Sequence, residues 1–301
     1  MVRTVVAGLD GSPESRAAVE WAAREALSRG LPLTVLHVWQ PVPEPMAQEP
    51  PLGAETQRHW TERIPRETAA GLRLRHPGLE VTPEQRHGSP FAILTEVAKD
   101  AELLVLGSRG LSGLGGFVVG SVGLYVVAHA QRPVVLVRAG ERAADEHEPD
   151  PAGAPSAVTP FRPVVLGLDP AGPDDSVVGF AFESAARRDT ALRVVHGWSL
   201  PPYFTYGPSA DAALHGEVAR QQAAALSEVL APWRAKYPAV EVVEDSRSGS
   251  AANHLIDASH EASLVVVGRR VRRSPLGAHT GPVAHAVLHH ATAPVAVVSH
   301  G

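Results

Sequence analysis

The chain contains no cysteine among its 301 residues. Disulfides, thiolate catalysis and thiolate metal sites are thereby excluded. It also lacks a basic excess: 27 Lys and Arg stand against 32 Asp and Glu, a formal charge of −5. That balance offers no electrostatic footprint for general nucleic-acid binding. The pattern HExxH is absent, and the 15 histidines are scattered without ligand spacing. His289 and His290 are adjacent, and neighbouring helical residues do not share a face. The histidines are therefore read as structural or solvated, with no metal site built from protein side chains. The apolar run near the start, "VVAGL", is too short for a signal-peptide core and leads straight into a turn. A cytoplasmic protein is expected. The common phosphate loops GxxxxGK[ST] and GxGxxG are missing, as are HxGH and SGGxDS.

One region lacks charge altogether. From Gly110 to Gln131 there is no Lys, Arg, Asp or Glu. It overlaps "GSRGLSGLGGFVVGSVG" (Gly107–Gly123), which holds seven glycines. A membrane span needs about 20 apolar residues in a helix, and each glycine weakens a helix by up to about 1 kcal/mol relative to alanine. The matching stretch later in the chain, "GRRVRRSPLGAHTGPVA", has four arginines and two prolines. Neither stretch is read as a membrane helix.

What the sequence does contain is an internal repeat. "RTVVAGLD" returns as "RPVVLGLD", "LTVLHVWQP" as "LRVVHGWSLP", "RHGSPFAIL" as "RSGSAANHL", and "AELLVLGSR" as "ASLVVVGRR". Gly88 and Gly249, Gly107 and Gly268, Gly120 and Gly281, and Pro133 and Pro294 are each 161 residues apart. Asp10 and Asp169, like His37 and His196, are 159 apart. Two copies of this length predict two similar domains rather than a solenoid. We place them at residues 1–140 and 161–301. Residues 141–160, rich in charge, Pro, Ala and Gly, read as a solvated linker.

Within the first copy, apolar runs predict strands near 3–9, 32–38, 79–86, 102–107 and 133–138. Runs such as "LLVL" are apolar throughout, as strands covered on both faces must be. Pro83 assigns the polar third strand to an edge, because proline cannot donate to a ladder. Between strands, Ser12 and Pro13 open a helix that Gly30 ends, and Ser89 and Pro90 repeat the opening. Five strands alternating with four helices predict an α/β fold: two similar open, doubly wound, mainly parallel five-stranded sheets.

The glycine stretch follows the fourth strand, where open parallel sheets bind ligands. Gly107 and Gly110 let the backbone turn and approach a ligand without a Cβ. Gly120 and Ser121 open the next helix, whose free N–H groups and dipole suit an anion. The pattern is G-x2-G-x9-G-[ST]: Gly107, Gly110, Gly120, Ser121. Here the chain resembles the universal stress protein family in its tandem form, over both halves and apart from the linker. The resemblance implies an adenine nucleotide site in which Asp10, beside Gly8, contacts ribose or base and Val38 meets the adenine. It assigns the phosphates to Gly107, Arg109, Gly110, Gly120, Ser121 and Val122, and implies ATP accompanied by Mg²⁺. Three alternatives stand beside it: Asp10 caps the turn into the first helix, Arg109 is a solvated arginine, and Ser121 is a helix cap. The recurring Trp39 and Trp198 are read as packing.

In the second copy the matching residues are Asp169, Gly268, Arg270 and Gly281, but Val271 replaces Gly110 and Pro282 replaces Ser121. Valine resists positive φ and proline removes an N–H donor. The four arginines of that loop add charge in return, so nucleotide binding there is expected to be retained but weaker. The resemblance implies a stress-response protein that uses ATP occupancy as a signal or stabiliser, forms a homodimer, and is not a fast enzyme. A slow ATPase or a phosphoryl or adenylyl transferase is the second reading, and a nucleotide-free interaction scaffold the third.

Overall fold

A computed structural model of the chain describes residues 3–40, 54–108, 120–200, 212–271 and 280–301. It divides into two compact units, Met1–Arg142 and Ala143–Gly301.

The first unit carries β1 (Val5–Gly8), β2 (Leu33–Trp39), β3 (Val81–His87), β4 (Leu103–Ser108) and β5 (Val134–Arg138). They pair in parallel in the order β3-β2-β1-β4-β5. The apolar runs of β1, β4 and β5 are buried, as strands covered on both faces require. Among the described residues β3 pairs only with β2, with Pro83 opposite Val35, so the proline sits on an edge as expected.

Four helices connect the strands: α1 (Pro13–Arg29), α2 (Ala54–Arg75), α3 (Pro90–Asp100) and α4 (Ser121–His129). The Ser12 hydroxyl caps α1 by accepting from the Ser15 N–H at 3.1 Å, and Gly30 ends the helix at φ 63°. Ala18, Trp21 and Ala22 turn inward and are fully buried or nearly so. Ser89 holds the cap position of α3, but its side chain makes no capping bond. The device read at both places operates fully only at Ser12.

The second unit repeats the plan. It carries β6 (Val164–Gly167), β7 (Leu192–Trp198), β8 (Val242–Ser248), β9 (Leu264–Arg270) and β10 (Val295–His300). They are ordered β8-β7-β6-β9-β10, all parallel. Its helices are α5 (Asp175–Arg188), α6 (Ala212–Lys236), α7 (Ala251–Ala258) and α8 (Pro282–His290).

Within residues 141–160 the stretch 148–160 is largely exposed, as a solvated linker is, and the packed part is 143–147. Ala143–Glu146 form a 3₁₀ turn, and His147 bridges Phe161 with ring centroids 3.9 Å apart. The buried Glu146 faces the buried Arg188 of α5 at 3.8 Å. The Arg162 guanidinium donates to the His147 and His260 carbonyls, both at 2.9 Å. Composition marked the segment as polar, but these pairings tie it to the second unit. No described helix is long and apolar enough to cross a membrane.

Candidate functional site

In each sheet the chain order reverses beside the first strand: β1 lies between β2 and β4, and β6 between β7 and β9. Loops leaving neighbouring strands there diverge to opposite faces and open a crevice at their carboxyl ends. Each unit has a cavity at that place, of about 780 Å³ in the first and about 810 Å³ in the second. Both fall within the roughly 300–1,000 Å³ common for small-molecule sites.

The first cavity gathers Gly8, Asp10, Val38, Gly107, Gly120, Ser121 and Val122. These come from the ends of β1, β2 and β4 and the start of α4. Arg109 and Gly110 lie outside the described residues. Asp10 both lines the cavity and makes the turn into α1. Its Oδ1 accepts from the Ser12 N–H at 2.9 Å and from the Ser12 hydroxyl at 2.5 Å. Both roles read for Asp10 thus meet in one side chain that is exposed at the cavity wall. Ser121 is not the helix cap. Gly120 holds that position at φ −60°, without a side-chain capping bond, and Ser121 is the exposed first residue of α4. The first-turn N–H groups of α4 and the Ser121 hydroxyl therefore offer donors to an anion.

Gly107 has a packing role beside the one its position in the motif implied. It lies within β4, and a Cβ there would stand 2.6 Å from the Glu14 carbonyl carbon and 2.7 Å from the Ser15 nitrogen. The missing side chain seats α1 against the strand at the wall of the cavity that Gly107 lines. Gly8 is tight as well: a Cβ would meet the Leu106 side chain at 2.6 Å.

Sequence reading gave Ser12 only as a helix cap and passed over Glu14 and Ser15; the start of α1 brings all three to the same wall. It also passed over the functional meaning of His37. The His37 Nδ1 donates to the Leu9 carbonyl at 2.7 Å, beside Asp10, and His196 repeats this with Leu168 at 3.1 Å. The matching histidines in "LTVLHVW" and "LRVVHGW" were the available signal.

The second cavity gathers Asp169, Gly268 and Arg270, together with Asp174, His196, Trp198, Gln222 and His300. Asp169 repeats the turn of Asp10, accepting from the Ala171 N–H at 3.0 Å. Gly281 caps α8 at φ 80°, a left-handed conformation that Gly120 does not share. Val271 avoids the positive φ that it would resist; its N–H donates to the His300 carbonyl at 2.7 Å. Asp174 caps α5 by accepting from the Ser176 N–H at 2.9 Å and from the Ser176 hydroxyl. Burial pushes this carboxyl upward, but the Ser176 bonds and nearby His300 hold it below the ordinary carboxylate range. It is therefore charged at neutral pH.

Trp198 is 7% exposed and borders the second cavity. Trp39 instead meets His87 edge-on at 5.3 Å. The two recurring tryptophans are thus not equivalent. Among the described residues no group of three or more His, Cys, Asp or Glu could hold a metal ion.

The family model described as the universal stress protein family matches residues 1–138 and 160–299. A universal stress protein of Mycolicibacterium smegmatis is 33% identical over 304 residues, covering 98% of this chain and 96% of that one. One from Mycobacterium tuberculosis H37Rv is 34% identical over 307 residues, covering 97% and 96%. Among solved structures, a universal stress protein from Archaeoglobus fulgidus superposes with a TM-score of 0.69 at 16% identity, covering both chains completely. That likeness concerns the fold.

Proposed function

The chain belongs to the universal stress protein family, and from that premise we propose that its first unit binds ATP and that occupancy, rather than rapid turnover, is what the cell uses. The observation carrying this reading is the convergence of Gly8, Asp10, Val38, Gly107, Gly120, Ser121 and Val122 on one cavity at the reversal point of the first sheet. The Asp10 carboxylate can accept from ribose hydroxyls. The β2 end at Val38 faces the base. The Ser121 hydroxyl and the N–H groups of α4 receive phosphate oxygens. Arg109 supplies a counter-charge and Gly110 the turn of the phosphate loop.

The residues present fit the adenine nucleotide by volume and by donor set, with Mg²⁺ held mainly by phosphates and water. We place the protein in the cytoplasm as a homodimer acting in stress response, a state that light scattering of the purified chain tests.

The deciding experiment is the nucleotide content of protein purified without added ligand, followed by titration with ATP and Mg²⁺. Release of ATP, or saturable binding that Ser121→Glu weakens, supports the proposal. ADP as the sole released species, with steady turnover, favours a slow ATPase. Neither release nor binding leaves an interaction scaffold.

A further inference from the structure

The two cavities match in size and position but not in where their polar groups stand. The repeat's constant offset of 159 residues through this region places Ala171 where the first unit has Ser12 and Asp174 where it has Ser15, and Pro282 stands where it has Ser121. Three hydroxyl-bearing residues on the helix-terminus side of the first cavity thus give way to a methyl group and a carboxylate on the second cavity's wall and to a proline at the start of α8. Proline also removes the first N–H of α8, and Gly281 presents that helix start through a left-handed backbone. Each cavity has two lining carboxylates, Asp10 and Glu14 in one and Asp169 and Asp174 in the other. The count of acids does not separate them, but the supply of anion donors does. Arg270 is the cationic side chain on the described wall of the second.

The opposite side of the second cavity has gained polar groups. Gly197 stands where the first cavity has Val38; its missing Cβ lets α7 press close, since a Cβ would lie 2.4 Å from the Ala251 Cα. Beside it, Trp198 carries a buried indole N–H with no hydrogen-bond partner among the described residues. Such a donor costs free energy unless something accepts from it. His196, 6% exposed, lies 3.1 Å from the Leu168 carbonyl through Nδ1 and 2.9 Å from the Gln222 amide through Nε2. Nδ1 faces a carbonyl oxygen, so it carries the proton. In the tautomer with its proton there, Nε2 accepts and calls for the NH₂ end of the Gln222 amide. That orientation turns the Gln222 oxygen away from His196. A base with an amino group and a ring acceptor complements one acceptor and one donor on this wall.

We propose that the second cavity is a distinct ligand site, selective for a nucleoside or nucleoside monophosphate over the triphosphate. Gln222 and Trp198 read the base, and Arg270 meets a single phosphate. The depleted terminus of α8 offers a polyphosphate chain fewer donors than α4 does, having lost the N–H and the hydroxyl of its first residue. The inference rests on the nucleotide reading of the fold, but it separates the two units by ligand class.

Calorimetric titration of the full chain with adenosine, AMP and ATP tests it, on the wild type and on the Gln222→Leu, Trp198→Phe, Ser121→Glu and Asp174→Ser/Pro282→Ser variants. The wild type is expected to take two adenosine or AMP per chain but one ATP tightly, with any second ATP at least tenfold weaker. Gln222→Leu and Trp198→Phe should each remove one adenosine step and leave the tight ATP step. The Asp174→Ser/Pro282→Ser double variant should tighten the second ATP step at least tenfold. Two ATP bound with equal affinity overturn the selectivity. A single adenosine step unmoved by Gln222→Leu or Trp198→Phe overturns the site. If the wild type shows no tight ATP step that Ser121→Glu weakens, the reading of the first unit falls, while the Gln222-sensitive adenosine step still decides this one.

Discussion

A Cβ on Gly107 would stand 2.6 Å from the carbonyl carbon of Glu14, inside any permitted contact with backbone that cannot move aside. The strand that ends at the first cavity and the helix that borders it are therefore packed main chain to main chain. Gly268, its counterpart, would meet only the side chains of His300 and Val177, at 3.1 and 3.3 Å.

From this difference, Gly107→Ala is expected to destabilise the first unit by about 2 kcal/mol or more, at the upper end of overpacking costs. Gly268→Ala should cost well under half of that, because side chains can shift. Urea unfolding of the two variants compares them directly, and equal losses would remove the close approach as the explanation.

His37 holds the Leu9 carbonyl at 2.7 Å, one residue before Asp10. His37→Leu leaves that buried carbonyl without its side-chain partner, at a cost of about 1–3 kcal/mol. Since Asp10 follows in the chain, ATP affinity should fall as well. Chemical denaturation and ATP titration of the same sample measure both effects.

Ser121→Glu should move stability and binding in opposite directions. An acidic residue in the first turn of α4 complements the helix dipole and adds about 0.3–1 kcal/mol to the ligand-free protein. The same charge repels phosphates, so ATP affinity should fall at least tenfold. A thermal melt without nucleotide and a titration with it separate the two; loss of both would mean that the substitution damages the fold.

Glu146 and Arg188 face one another at 3.8 Å, each side chain about 4% exposed. Glu146→Ala withdraws one partner from a buried guanidinium, at a cost of about 3 kcal/mol. The substitution should loosen residues 143–162 first. Faster hydrogen exchange confined at first to that segment is the expected signature.

Asp245 supports the edge strand β8 through Arg193 at 2.7 Å and through Arg247. Burial raises its pKa, but the two guanidinium partners outweigh that and hold it below the ordinary carboxylate range. A carboxyl whose folded pKa is depressed stabilises the fold above its unfolded pKa, about 3.9, and loses that contribution as pH falls through the folded value. Asp245→Asn should therefore lower stability at neutral pH and flatten its decline below pH of about 4. Unfolding free energies measured across that range provide the comparison.

Much of this was legible in advance because it is local or repeated. Alternating apolar runs and helix caps depend on near neighbours, so β1–β5 and α1 fall within a residue or two of where periodicity places them. The family resemblance singled out Gly8, Asp10, Val38 and Ser121, and the strand order of the structure brings them to one cavity. Ser15 and Glu14 escaped notice because serine and glutamate at a helix start read equally well as capping. Gln222 escaped because its partner, His196, lies 26 residues earlier with a helix entry between them.

The sequence by itself determined that there are two copies, that each is α/β with a parallel sheet, and that the glycine stretch follows the fourth strand, where such sheets bind ligands. Periodicity, proline and the repeat suffice for that, since they constrain backbone hydrogen bonding along the chain. Only the tertiary structure decided how closely Gly107 packs on α1, where residues 143–147 pack, and how the second cavity exchanged hydroxyls for Trp198 and Gln222. Those outcomes depend on distances between residues far apart in sequence, and side-chain type carries no information about such distances until the chain has closed on itself.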